Sequence, residues 1–407
     1  MKVLVADAFE KSGLDGLRAA GCDVLYQPEL AGDALVGALT SSAAEVLVVR
    51  STRVTAAMLD TGELSLVVRA GAGINTIDVA AAARRGIYVS NCPGRNAIAV
   101  AELALGLLIA LDRRIPDNVA DLRAGRWNKK EYARARGLYG RTLGLLGFGS
   151  IGQEVARRAR ALGMDVVVWS PRFLREGAAA LAALPHDLDV IVVDSPEDVA
   201  GRSDALSVHL ALTPETENFV GAGILSRLKP GALFVNTARA ELVDEEALRQ
   251  AIDTRGVRAA ADVFRGEPAE APAEFFPPLA ASPHVYGTHH IGASTEQAQE
   301  AIAAEVVRIV GTYKDTGKVP NVVNLARRTP ATHTLVVRHR DRPGVLAHVF
   351  AELRARDLNA QETENVIFEG AEAAVARINL DGEPAPDLLR AIQAGNQDIL
   401  SLHVVKI

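Results

Sequence analysis

Residues 141–172 read RTLGLLGFGSIGQEVARRARALGMDVVVWSPR. The apolar run Thr142–Leu146 opens onto Gly147-Phe148-Gly149-Ser150-Ile151-Gly152. After it Ile151, Val155, Ala159 and Leu162 recur at helical spacing, Gly163 stops the helix, and Val166–Trp169 reads as a second strand. Strand, glycine turn, helix and strand is the order that a βαβ nucleotide-binding unit requires. In such a unit Gly147 makes the tight turn, Gly149 admits a pyrophosphate to the backbone, and Gly152 lets the helix pack close to the strand. Ser150 and Ile151 then open a helix whose N-terminus faces the phosphates. Glycines spaced this way also mark ordinary turns, but the flanking strands and helix favour a dinucleotide site, with NAD as the expected cofactor and no metal.

One position departs from the pattern. Eighteen residues after Gly152, where an acid ordinarily binds the adenosine ribose hydroxyls, stands Ser170, followed by Pro171 and Arg172. An acid repels a ribose phosphate, whereas a hydroxyl and a guanidinium can bind one. NADP is therefore expected to be accepted alongside NAD, unless Arg172 is a solvated loop residue and the ribose is held elsewhere.

A chain of 407 residues predicts two or three domains around a large core. With 49% hydrophobic residues and a net charge of −6, the composition is globular and argues against a surface built to coat nucleic acid. Cys22 and Cys92 share no metal or disulfide spacing, which suits a reducing compartment. The chain starts on the strand-like run Lys2–Ala6 with no signal peptide, and its most apolar segment, 97–111, carries Glu102 and is too short to span a bilayer. The expectation is a cytoplasmic protein with neither membrane nor nucleic-acid partners.

Upstream, residues 1–95 alternate strands (3–6, 23–26, 46–49, 66–69, 88–90) with helices (13–20, 79–85), a smaller flavodoxin-like α/β unit without a phosphate-binding glycine turn. Arg50 in VVRSTRVT and Arg69 in VVRAGAGINTID follow two of its strands, where ligands of open α/β sheets bind. Strand-end arginines are commonly surface charges, but two beside turn glycines and threonines suit a small anionic substrate. A long apolar helix, 98–111, and a polar one to Ala124 cross into the glycine-turn domain. Trp127 then lies among charged neighbours, as a core residue or an interface anchor. Beyond Trp169 strands are predicted at 190–193, 205–208, 233–236 and 259–263, with helices at 245–252 and 298–311.

Arg239, Glu267 and His290 all come after such strands, so they can converge on the glycine turn. Hydride exchange with a hydroxy acid needs a cation for the carboxylate and carbonyl, an acid/base for the hydroxyl proton, and a carboxylate that orients the base. Arg239, His290 and Glu267 supply one of each. His289 competes with His290 for the base, and each of the three has a structural alternative: a helix cap, a surface ion pair or a turn histidine.

From Val3 to about Leu325 the chain resembles the D-isomer-specific 2-hydroxyacid dehydrogenases, most specifically in LLGFGSIGQEVA, NTARAELVDEEAL, DVFRGEP and HHIGAST. The resemblance implies that Arg239, Glu267 and His290 are catalytic, His290 because it directly precedes Ile291-Gly292, and it adds Ala238 and Asp262 to the cofactor contacts. The family usually has proline at His289 and glycine where Ala240 and Glu241 stand. A discontinuous substrate-binding domain, 1–97 with 285–326, is implied around a Rossmann domain at 98–284, as is dimerisation through the nucleotide-binding domain, hence a homodimer or homotetramer.

Residues 314–332, with Pro320 and Pro330, read as a linker. The tail 333–407 follows the βαββαβ order of a ferredoxin-like fold, and HRDRPGVLAHVFAELRARDLNA resembles the ACT-domain signature. The combination is similar to the family branch that oxidises 3-phosphoglycerate at the start of serine synthesis. In that branch Arg50, Ser51 and Arg69 bind the substrate's anionic groups, with Asn75 assisting. His339, Asp341 and Asn359 match positions that bind L-serine, the last from a partner copy. A glyoxylate or hydroxypyruvate reductase using NADPH would explain Ser170 and Arg172 but leaves the tail without a purpose. A non-catalytic NAD-sensing interaction protein sits badly with the intact Arg, Glu and His.

Overall fold

Val46–Val49 and Leu66–Arg69 are apolar almost throughout because both faces of their sheet are covered. The computed structural model describes residues 1–185, 188–268, 272–326 and 328–407. They form two compact units, Met1–Asn324 and Leu325–Ile407.

The first unit holds two parallel sheets. In one, β1 (Lys2–Val5), β2 (Asp23–Tyr26), β3 (Val46–Val49), β4 (Leu66–Arg69) and β5 (Tyr88–Asn91) lie in the flavodoxin-like order β2-β1-β3-β4-β5. In the other, β6 (Thr142–Leu146), β7 (Asp165–Trp169), β8 (Ile191–Val192), β9 (Ala205–Val208), β10 (Leu233–Asn236), β11 (Arg258–Ala261) and β12 (Val285–Gly287) lie in the order β12-β11-β10-β9-β6-β7-β8. This is the doubly wound Rossmann arrangement, and its strand order reverses between β6 and β9. Because β12 pairs with β11, residues 285–287 stay in the second sheet and the chain returns to the first only afterwards.

That return is made by the helix Glu296–Thr316. Its Ile302, Val306, Ile309 and Val310 cover Val3, Val5, Val46, Val48, Leu66 and Val68 on one face of the first sheet. The helix runs on through Thr316, and residues 318–324 pack along β5, where Val89 N–H donates to Asn324 Oδ1 (2.9 Å) and Ser90 Oγ to Pro320 O (2.7 Å). The first half of the predicted linker is therefore fixed structure. Arg327 lies outside the described residues.

Glu305 on this helix has a side chain only 3% exposed, and it accepts from Arg308 Nη2 (2.5 Å), Asn321 Nδ2 (2.7 Å) and Arg95 Nη2 (2.7 Å). The Arg308 bond, with those from Asn321 and Arg95, outweighs burial and holds its carboxyl at about 2. A folded-state value below the unfolded one means that the contribution is complete above the usual carboxylate range and fades as pH falls toward 2. Glu305→Ala should cost about 3 kcal/mol at pH 7. In denaturant titrations the gap to the parent should close between pH 5 and pH 2; a gap that does not shrink would refute the linkage.

The helix Ala97–Arg113 buries Ala101, Ala104, Leu105, Leu108 and Leu111 against the second sheet and leaves Ile98 and Ile109 exposed. Trp127 is 80% exposed, so the core alternative fails. Arg172 is not a loop residue but lies in a short helix. Ser170 Oγ caps this helix, Pro171–Glu176, by accepting from Arg172 N–H (3.4 Å). Ser195 and Pro196 repeat the device at Pro196–Arg202.

The second unit is a four-stranded antiparallel sheet, β13 (His333–Arg340), β14 (Ala360–Ile367), β15 (Ala373–Leu380) and β16 (Ile399–Lys406), ordered β14-β15-β13-β16. Helices Val345–Arg354 and Pro386–Gly395 complete the βαββαβ pattern of an ACT-like fold.

Candidate active site

The glycine turn joins β6 to the helix Ser150–Ala161 at the switch point of the second sheet. Gly147 has φ +100°, and a Cβ there would overlap the His209 carbonyl. A Cβ at Gly152 would stand 2.5 Å from Gly147 O, so helix and strand touch through these two residues. Gly149, by contrast, caps the helix with nothing within 4 Å of where its Cβ would be. Backbone N–H groups at an open helix start are what a pyrophosphate needs. Trp169 Nε1, His209 Nδ1 and Thr237 Oγ1 are buried without a partner, all at the carboxyl ends of strands where the crevice opens. Burial lowers His209 to about 4, so its ring is neutral at pH 7, with Nε2 at 2.9 Å from Ser207 Oγ. These residues fit a dinucleotide. Ser150 is exposed at the helix start and Ile151 partly buried behind it.

Ser170 and Arg172 are in place at the end of β7 but already have partners. Besides its capping bond, Ser170 is buried, and Arg172 Nε pairs with Glu176 Oε2 (2.8 Å), both side chains about half exposed. Such a helical surface pair is worth about 0.3–0.5 kcal/mol, little enough for a phosphate to displace.

Arg239, Glu267 and His290 come from the loops after β10, β11 and β12. Asn236 shapes the first: its Nδ2 donates to Arg239 O (2.9 Å) and its Oδ1 accepts from Ala238 N–H (3.0 Å). Arg239 Nη1 donates to Ala238 O (2.6 Å). Burial pulls the Arg239 pKa down, against the opposing pull of Glu241 and Glu267. His290 Nδ1 lies 2.7 Å from Glu267 Oε2, while Glu267 Oε1 accepts from Phe264 N–H (2.7 Å). Burial raises the Glu267 carboxyl, but these two bonds and the nearby Arg239 more than reverse it, leaving it below the usual range. The side chains are 47% and 30% exposed, so the pair opens to a ligand. His289 is exposed and makes no hydrogen bond or ion pair among the described residues. The geometry thus gives only His290 a carboxylate partner, where residue type and spacing alone leave the two histidines level and the family resemblance favours His290.

Asp262, expected beside the cofactor, is engaged within the chain. Its Oδ1 accepts from Thr288 Oγ1 (2.6 Å) and Ile291 N–H (2.9 Å), and its Oδ2 from Gly292 N–H (2.8 Å). Buried, it anchors the loop in which His290 takes a left-handed conformation, φ +54°.

Arg69 and Arg239 face the 71–75 loop from two sides. A Cβ at Gly71 would overlap the Arg69 guanidinium, and one at Gly73 would overlap that of Arg239 and stand 3.2 Å from Asn75 Oδ1. Burial, then the charges of Arg239 and Arg50, lower Arg69 to about 10, and its Nε has no partner. Neither Arg50 nor Arg69 makes a side-chain ion pair among the described residues. Three guanidiniums this close with so little counter-charge suit an anion of more than one charge. Ser51 is placed differently from expectation: its N–H and hydroxyl both point to Asp7, at 3.1 and 3.3 Å, so its donors are spent inside the chain.

In the tail unit His339 is only 2% exposed, with Nδ1 at 2.7 Å from Arg340 O and Nε2 at 3.2 Å from Asn365 Oδ1. It belongs to the inward-facing set Leu335, Val337 and His339 of β13, with both ring nitrogens engaged within the unit. Asp341 and Asn359 are exposed. Asn359 adjoins Ala360, which registers with Leu380 and through it with His333, at the opposite end of the sheet from His339. One copy therefore keeps Asn359 roughly 20 Å from the other two.

Among the described residues no helix is long and apolar enough to cross a membrane, and no group of three or more His, Cys, Asp or Glu is placed to hold a metal ion.

Comparison with known proteins agrees with this geometry. The sequence profile of the D-isomer specific 2-hydroxyacid dehydrogenase, NAD binding domain, matches residues 105–292. A D-3-phosphoglycerate dehydrogenase of Methanocaldococcus jannaschii is 34% identical over 93% of this chain and 67% of its own length. A hydroxypyruvate reductase of Thermotoga maritima is 41% identical over 67% of this chain and 85% of its own length. The NAD+-bound crystal structure of an Entamoeba histolytica 3-phosphoglycerate dehydrogenase superposes with a TM-score of 0.64 at 25% identity, covering 80% of this chain and 99% of that one.

Proposed function

This chain belongs to the D-isomer specific 2-hydroxyacid dehydrogenases and is an NAD(P)-dependent oxidoreductase of the CH–OH class, and we propose that its substrate is 3-phosphoglycerate, oxidised to 3-phosphohydroxypyruvate. The observation that carries the reading is that Arg50 and Arg69, neither of which makes a side-chain ion pair among the described residues, act electrostatically with Arg239, which in turn feels the Glu267 of the Glu267–His290 pair. When bound, a nicotinamide dinucleotide supplies the hydride acceptor, and Gly147, Gly149, Ser150, Ile151 and Gly152 would hold its phosphates. Arg239 holds the substrate carboxylate and polarises the carbon–oxygen bond. Glu267 keeps the proton of His290 on Nδ1, which leaves Nε2 to take the hydroxyl proton. Arg50 and Arg69, with Asn75, hold the distal phosphate. On this reading residues 1–97 with 288–326 bind substrate, 98–287 bind the cofactor, and 333–407 regulate. The exposed Ile98, Ile109, Leu122 and Trp127 would lie between protomers of a homodimer or homotetramer.

Steady-state rates with 3-phosphoglycerate, hydroxypyruvate and glyoxylate test the substrate. A kcat/KM for the unphosphorylated acids above that for the phosphorylated pair would favour the second reading, a hydroxypyruvate or glyoxylate reductase. The 41% identity to the Thermotoga protein and the missing ribose-binding acid favour that alternative.

With Ser170 where an acid is expected, NADP turnover should be measurable beside NAD. Ser170→Asp should shift kcat/KM toward NAD at least about tenfold, through repulsion of the 2′-phosphate. Undetectable NADP turnover in the parent would sink this.

For the tail, L-serine should inhibit the full-length enzyme through Asp341 of one copy and Asn359 of another. Asn359→Ala should relieve inhibition without changing the uninhibited kcat. Rates indifferent to millimolar serine, with no heat of binding, would leave the unit structural.

A further inference from the structure

The carboxylate of Asp7 is wrapped by the turn that carries Arg50. Asp7 follows β1, the strand beside β3, and Arg50-Ser51-Thr52 follow β3 itself. Asp7 Oδ2 accepts from three consecutive backbone N–H groups, those of Arg50 (2.6 Å), Ser51 (3.1 Å) and Thr52 (3.0 Å). Its Oδ1 accepts from the hydroxyls of Ser51 (3.3 Å) and Thr52 (3.0 Å). Successive N–H groups converging on one point form an anion-binding concavity. Here that concavity lies at the carboxyl end of an open α/β sheet, where ligands bind, and the chain fills it with its own carboxylate.

Two consequences follow for the site. Backbone donors that would otherwise compete for a substrate anion are satisfied, so the anion is left to the guanidiniums. And the Arg50 side chain, which makes no hydrogen bond or ion pair among the described residues, takes its starting direction from the backbone of this turn. The charge of Asp7 also acts on Arg69, in small part opposing the repulsion from Arg239 and Arg50.

We propose that Asp7 is a positioning residue for the substrate: by occupying the anion nest of the 50–52 turn it fixes Arg50 beside Arg69 and keeps the substrate's distal anionic group on the guanidiniums instead of the backbone. The proposal rests on the substrate-binding role given above to Arg50. The sequence shows Asp7 only as an acid after a strand, and the pairing spans 43 residues.

The test is a double-mutant cycle on the full-length enzyme, with Asp7→Asn, Arg50→Ala and the pair, read as kcat, KM for the 2-hydroxy acid, KM for the nicotinamide cofactor, and Tm. Asp7→Asn should raise substrate KM at least about tenfold, with kcat and cofactor KM within about twofold. In the Arg50→Ala background the same change should add less than about twofold, because the interaction it serves is already gone. The proposal is overturned if Asp7→Asn leaves KM unchanged, if its effect adds in full to that of Arg50→Ala, or if Arg50→Ala is itself silent. If Asp7→Asn does not fold, Ser51→Ala with Thr52→Val removes the two hydroxyl bonds alone. KM should then rise about threefold with Tm nearly unchanged, and an unchanged KM counts against the proposal. The cycle runs on whichever 2-hydroxy acid the parent turns over, so failure of 3-phosphoglycerate as substrate is seen in the parent and is not confused with failure of Asp7.

Discussion

His290→Ala lowers kcat at least about a hundredfold while the protein folds normally and still binds its cofactor, the loss expected when a positioned general base is removed. His289→Ala stays within about threefold of the parent. The contrast follows from geometry: His290 Nδ1 sits 2.7 Å from a carboxylate held in turn by Phe264 N–H, whereas His289 is exposed and has no such anchor. The reverse result would reassign the base. Glu267→Gln refines the test. Glu267 is ionised throughout the working range, since its bonds to His290 and Phe264 hold it below the usual carboxylate value despite burial. Loss of the carboxylate removes the acceptor that fixes the ring's tautomer and orientation, so kcat should fall at least about tenfold with substrate and cofactor KM within about twofold. An unchanged kcat would mean that the pair is structural.

Gly149→Ala should weaken NAD binding at least about tenfold, measured by fluorescence titration, and leave Tm unchanged or slightly higher. The backbone at Gly149 is extended (φ −78°, ψ −163°), a conformation open to any residue, and a methyl group there meets nothing within 4 Å. Losing glycine's freedom in the unfolded chain even favours folding by about 0.5 kcal/mol. The only thing the methyl can obstruct is a ligand approaching the helix N-terminus. Gly147→Ala is the contrasting case: φ +100° and the His209 carbonyl make it costly to the fold itself. If Gly149→Ala binds NAD like the parent, the phosphates lie elsewhere.

Strands buried on both faces, such as Val46–Val49 and Leu233–Asn236, are legible because nothing but an apolar run can occupy them. The glycine turn is legible because each glycine answers a separate steric demand. The short helix 171–176 is legible too, in Ser170 followed by Pro171, but a strand-end serine invites a ligand reading before a capping one. His339 likewise stands two places beyond Val337 on the buried face of β13, and the alternation of that strand marks it as interior. What the sequence does not reveal are the partners of lone acids. Asp7 and Asp262 each follow a strand with no local spacing to a donor loop, because their donors come from loops after neighbouring strands, tens of residues away. Only the sheet order brings them together.

The helix Glu296–Thr316 has a bearing on how the chain is made. It supplies one covering layer of the sheet β1–β5, although more than two hundred residues separate β5 from Ile302. During synthesis the second sheet emerges complete while Val3, Val5, Val46, Val48, Leu66 and Val68 have only Leu14 and Leu17 of the helix Lys11–Ala19 over them and still lack the rest of their cover. At ribosomal speeds of about 5–20 residues per second the interval is on the order of 10–40 s. For that time the part of this apolar face that Leu14 and Leu17 of the upstream helix leave open has no partner, which makes the first-made sheet the later of the two to be sealed and the stage at which a chaperone matters most.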